Sequence, residues 1–197
     1  MNNNRQLITI IVVILVILIA GIGIFQALAK GSTGGSTATT PKPVNLTDYS
    51  NNAAAMVTLS VIGPVTAKEH HLVQTMSVSL AHRELDVSRG YTGSAEQSSP
   101  FDNNQPAFED FITALSNAGF TRTIKPRGGT AATSETGLCP NGTRYVYELT
   151  VNGQSLSHNY ATSCNNPTTF GGQVSVISNL FQSQIPGYGK LLSTVKP

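Results

Sequence analysis

Between Arg5 and Lys30 the chain carries no charged side chain, and the run from Leu7 to Leu28 is mostly Ile, Val, Leu, Ala and Phe. An α-helix rises about 1.5 Å per residue, so roughly 20 such residues cross the ~30 Å hydrocarbon core of a bilayer. The pattern predicts a transmembrane anchor over residues 7–29, with the lipid bilayer as its partner, so the rest of the chain must fold as a tethered domain. Residues 1–6 form a short polar stub. They predict a cytoplasmic amino end and a single-pass topology in the cell membrane, with the carboxy-terminal domain extracytoplasmic. Ala27 and Ala29 flank Leu28 in the small-x-small form that signal peptidase cuts, so release after Ala29 is the rival reading. The apolar run is longer than the 7–15 residues usual in a signal peptide, which favours the anchor.

Residues 30–48 are Gly, Ser, Thr, Ala and Pro with few large apolar side chains. Such a tract buries too little surface to offset its ordering entropy and predicts a flexible linker. Residues 49–197 then suit one domain with one hydrophobic core. Charged residues are only 11% of the chain and the formal net charge is +2. With no cluster of Lys and Arg interleaved with aromatics, nothing favours a nucleic-acid partner.

Cys139 and Cys164 are the two cysteines. Between them, Thr143 to Val151 and Gln154 to Thr162 alternate around Asn152 and Gly153, a pair suited to a type I′ hairpin turn. Counting outward from that turn brings the cysteines to the open end of the ladder, offset by about two residues that Pro140 to Gly142 absorb. A disulfide is expected there; two buried thiols are the other reading. Upstream, Val57, Leu59 and Val61 alternate with Thr58 and Ser60. Met76, Val78 and Leu80 alternate with Thr75, Ser77 and Ser79, and Leu85 and Val87 with Glu84, Asp86 and Ser88. These are three half-buried strands, the last two joined by a break at Ala81 to Arg83.

One helix is expected to open near Pro106, with Glu109 and Asp110 in its first turn, and to end near Ala118 before Gly119. A second is expected from about Gly172 to Gln184, capped by Thr168 or Thr169 and stopped by Pro186. The expected order is βββαββα: an α+β domain whose antiparallel sheet of about five strands is covered on one face by the two helices. The stretches Gly93 to Gln105 and Pro126 to Gly137 read as surface loops, the default places for a partner.

The chemical inventory is thin. Glu69, His70 and His71 combine ligand and base chemistry, but adjacent strand residues point to opposite faces, and a polar turn explains them as well. His82 falls in an expected turn, and His158 is placed near Tyr145 or Tyr147 across the hairpin. Gly171 and Gly172 precede a helix and suit either anion binding or a close backbone approach. No catalytic, metal or cofactor motif is present in the sequence. Tyr145, Tyr147 and Tyr160 lie on the cysteine-bounded hairpin. On an open face they would form an aromatic platform for a surface protein or a glycan; on a covered face they would be core.

The unit from Cys139 through Pro140, Asn141, Gly142 and Thr143 to Cys164 is followed by Thr169 to Gly172 and by Gln184 to Tyr188. It resembles uncharacterised single-anchor extracytoplasmic proteins of small-genome, Saccharibacteria-like candidate-phyla bacteria. That resemblance implies a cell-envelope location and no particular activity. A weaker resemblance is to type IV pilin-like proteins, with their apolar amino-terminal helix and disulfide-bounded carboxy-terminal region, although Arg5 and an acid-free apolar run depart from the pilin pattern. Three roles are therefore expected: a surface binding or structural domain, a pilin-like filament subunit, or an envelope enzyme without a recognisable motif.

Overall fold

The computed structural model describes residues 43–125, 135–164 and 168–195. The expected anchor at 7–29 and most of the linker lie outside the described residues. Among those described, no helix is long and apolar enough to cross a membrane.

Six strands form one antiparallel sheet: β1 (Ala55–Ile62), β2 (Leu72–Ser79), β3 (His82–Arg89), β4 (Ala95–Asp102), β5 (Arg144–Val151) and β6 (Gln154–Thr162), in the spatial order β4-β3-β2-β1-β5-β6. Helix α1 (Gln105–Asn117) follows β4, while α2 (Val174–Gln184) and α3 (Tyr188–Val195) follow β6. The fold is α+β as expected, but the sheet has six strands and the described residues include a third α-helix.

The additional strand is β4, in the stretch expected to be a loop. Its sequence, Ala95 to Asp102, is mainly polar and mostly exposed, so it lacks the apolar alternation that marks a half-buried strand. Backbone pairing to β3 makes it a strand, and Pro100 is tolerated because β4 is an edge. His82 is the first residue of β3 rather than a turn residue, opposite Asp102 in the register.

Helix α3 was hidden by Pro186. That proline does end α2, but Gly187, at φ 69°, lets the chain turn and start again. Helix α1 begins at Gln105, capped by the Asn104 side chain accepting from the Ala107 N–H at 3.1 Å. Glu109 and Asp110 therefore sit a turn deeper than expected. Helix α2 takes Gln173, not Thr168 or Thr169, as its N-cap residue. Thr169 instead accepts from the Tyr160 N–H at 3.0 Å through its hydroxyl.

The β5–β6 hairpin follows its sequence pattern. Asn152 and Gly153 both have positive φ, as a type I′ turn requires. Beyond the last ladder pair, Arg144 with Thr162, Cys139 and Cys164 form a disulfide with Cα atoms 5.6 Å apart. Gly142 fits beside it because it has no Cβ: one placed there would lie 2.6 Å from the Cys139 sulfur.

One sheet face carries the core. Val57 and Leu59 of β1, Met76 and Val78 of β2, Leu85 and Val87 of β3, and Tyr147 and Leu149 of β5 are all buried there. Phe108, Phe111, Ile112 and Leu115 of α1 and Ile177 and Phe181 of α2 join the same cluster, with Phe111 and Phe181 meeting edge to face. Leu46 belongs to it too, held in a 3-10 turn (Leu46–Tyr49). The opposite face presents half-buried Thr58, Ser60, Thr75 and Ser77, as an antiparallel sheet permits.

Candidate functional site

The core face is not filled to its end. Val61 of β1 is opposite Gln74 of β2 on one side and Tyr145 of β5 on the other, so these three side chains form one row across three interior strands. Above that row runs α2. Its apolar stripe, Ile177 and Phe181, enters the core, and beside it Ser175, Ser178, Asn179 and Gln182 make a second stripe at i, i+3, i+4 and i+7. Val174 from the start of the helix and Tyr188 from the start of α3 complete a cleft of about 450 Å³.

Regular elements position every one of these groups. Helix α3 is fastened down at both ends. At one end the Tyr188 hydroxyl donates to Gln74 Oε1 at 2.6 Å. At the other, Thr194 donates to Gln97 Oε1 at 2.9 Å, and Arg89, on β3, donates to the Val195 carbonyl oxygen. Arg89 is itself held by the Glu69 carbonyl oxygen at 2.7 Å and by Glu96 at 3.1 Å.

No lining side chain carries a charge. Burial raises the Tyr188 phenol above its ordinary pKa, so it remains a neutral hydroxyl. Ser178 Oγ is buried and has no hydrogen-bond partner among the described residues. The cleft thus offers hydroxyls and carboxamides, which both donate and accept, beside two aromatic rings and two valines. It contains no carboxylate, imidazole or thiol to move a proton or attack a substrate. Among the described residues, no group of three or more His, Cys, Asp and Glu could hold a metal ion.

The three hairpin tyrosines do not share a surface. Tyr145 lines the cleft. Tyr147, two residues on, is 1% exposed and stacks on Phe170 with ring centroids 3.8 Å apart. Tyr160 pairs with Val146 and therefore belongs to the other sheet face, where it too is buried. The core reading thus describes Tyr147 and Tyr160, and of the three Tyr145 alone faces an open surface.

The histidines also disperse. His71 is buried, with Nδ1 2.9 Å from the Pro64 carbonyl oxygen and its ring stacked on Tyr91 at 4.2 Å, while His70 is exposed in the preceding turn. His82 Nδ1 lies 3.2 Å from the Ser79 hydroxyl. His158 is opposite Glu148 and pairs with Glu135 at 3.8 Å, on the face away from Tyr145 and Tyr147. Gly171 and Gly172 are explained by packing: a Cβ on Gly172 would lie 2.5 Å from the Gly119 carbonyl oxygen.

Sequence reasoning missed the α2 stripe because Ser, Asn and Gln at helical spacing look like an ordinary solvent face. It missed Tyr188 because Pro186 was read as the stop of the second helix and no helix was expected beyond it. No protein-family model matches the chain, and no curated protein matches it.

Proposed function

We propose that this chain is a membrane-anchored extracytoplasmic binding domain, held by its amino-terminal apolar segment and binding ligand in the cleft between α2 and the β2-β1-β5 row. One observation carries the reading: the cleft is built from fixed elements and lined entirely by neutral side chains, with hydroxyl and carboxamide groups supplying its polarity. Such a lining recognises; it holds no group poised for acid, base or nucleophilic work. The uncharged run from Leu7 to Leu28 supports the anchor. The Cys139–Cys164 bond supports an oxidising compartment.

The test uses the full chain. In right-side-out vesicles of the producing cell, external protease should remove the domain while leaving the apolar segment with the membrane. The full chain in nanodiscs should also co-sediment with isolated envelope material, and lose that association when Asn179 and Gln182 are both changed to Ala. A protected domain overturns the topology. Association that is absent, or equal in the double variant, overturns the binding site.

A further inference from the structure

We infer that the ligand of this cleft is a short stretch of neutral saccharide, about one or two sugar rings; this rests on the binding reading above and adds the ligand's chemistry. A sugar ring presents hydroxyls that each donate and accept, around a body of C–H groups that prefers an apolar or aromatic surface. The cleft is the complement of that pattern. Asn179 and Gln182, one turn apart on α2, offer planar amides that donate and accept side by side. Gln74 accepts from Tyr188 through Oε1, which leaves the hydrogens on Nε2 for a ligand. The Tyr145 ring and Val61, neighbours in one row, supply the surface for the C–H face. The volume of about 450 Å³ lies within the roughly 300–1,000 Å³ of small-molecule sites, which limits the occupant to a short segment.

The charge pattern excludes the main competitors. Acidic saccharides and phosphorylated ligands need Arg or Lys, and the lining has none. Peptide binding by strand addition needs a free sheet edge, whereas β2, β1 and β5 are all interior strands. Ser178 also lines the cleft, but its Oγ is screened from solvent and stands behind the contact surface, so the ligand contacts fall to Gln74, Asn179, Gln182 and Tyr145.

The experiment is calorimetric titration of the full chain in nanodiscs with maltotriose, cellotriose and triacetylchitotriose, with an acidic trisaccharide of galacturonic acid, and with an unstructured peptide. At least one neutral trisaccharide should bind saturably and the acidic one should not. The Asn179→Ala/Gln182→Ala double variant should bind at least ten-fold more weakly, and Glu148→Gln, on the other sheet face, should bind as the wild type does. Three results overturn the inference: no neutral trisaccharide binding at about millimolar concentration, binding that survives the double variant, or preference for the acidic trisaccharide or an unstructured peptide. If envelope association is still lost in the double variant while every neutral trisaccharide fails, the binding site stands and the saccharide assignment falls.

Discussion

Tyr147 sits in the aromatic core with a hydroxyl that meets no hydrogen-bond partner among the described residues. Its ring is stacked on Phe170 and edge-on to Phe120, 6.0 Å away, and it is 1% exposed. Its Oη is buried without a partner among the described residues, and burial drives the phenol pKa far upward because an ionised form would be unsolvated. A buried polar group left unsatisfied costs about 1–3 kcal/mol, whereas the ring contacts do not depend on the oxygen. Tyr147→Phe keeps the ring and removes the penalty, so the variant should be more stable by about 1–2 kcal/mol. At about 2–4 °C per kcal/mol for a domain of this size, Tm should rise by about 2–8 °C. Tyr147→Ala removes the ring as well and should cost about 3–5 kcal/mol. Thermal and urea unfolding of both variants in the same nanodisc preparation decides the matter. A Tyr147→Phe protein that is less stable than the wild type would refute the reasoning, because it would mean that the hydroxyl makes a net favourable hydrogen bond, for instance to internal water.

Three further outcomes follow from geometry already described. Changing both Cys139 and Cys164 to Ser opens a loop closed across 25 residues, which in the chain-entropy model lowers stability by about 3.5 kcal/mol; an unchanged urea midpoint would contradict it. Gly172→Ala places a Cβ against the Gly119 carbonyl oxygen and the Phe170 ring, and should cost about 1–3 kcal/mol of unfolding free energy where a tolerated Ala would cost nothing. Asp86 has its carboxyl raised above the ordinary 3.8 chiefly by burial, opposed by a hydrogen bond with Ser98 and reinforced by Glu84. Because the folded state holds this proton more tightly than the unfolded chain, stability falls as pH rises from about 3.8 through the raised value. Asp86→Asn should therefore have the higher Tm at neutral pH, an advantage that disappears below about pH 3.8; an equal advantage at both pH values would rule this out.

What the sequence made legible was what repeats. β1 was readable from Ala55 to Ile62 because Val57, Leu59 and Val61 alternate with hydroxyl residues, and that strand has those bounds. The β5–β6 hairpin was readable because Asn152 and Gly153 fit a turn that few other residues adopt. β4 was unreadable because an edge strand is defined by its neighbour's hydrogen bonds, and Ser98, Ser99 and Pro100 announce none of them. The cleft was harder still. Ser175, Ser178, Asn179 and Gln182 become a site only because Val61, Gln74 and Tyr145 fall in one row beneath them, a coincidence of register between the consecutive strands β1 and β2 and the remote β5. Tyr145 alone was singled out beforehand, for its place on the hairpin rather than for this row.

β1 also has a mechanical consequence. It is the strand closest in sequence to the proposed tether, its far end at Val61 forms part of the cleft floor, and it is paired with β2 and β5 on both flanks from Met56 to Ile62. A pull on the amino end of the domain would first meet the Leu46–Tyr49 turn, whose Leu46 side chain is seated in the core, and only past it a strand whose hydrogen bonds on both flanks yield together and not one at a time.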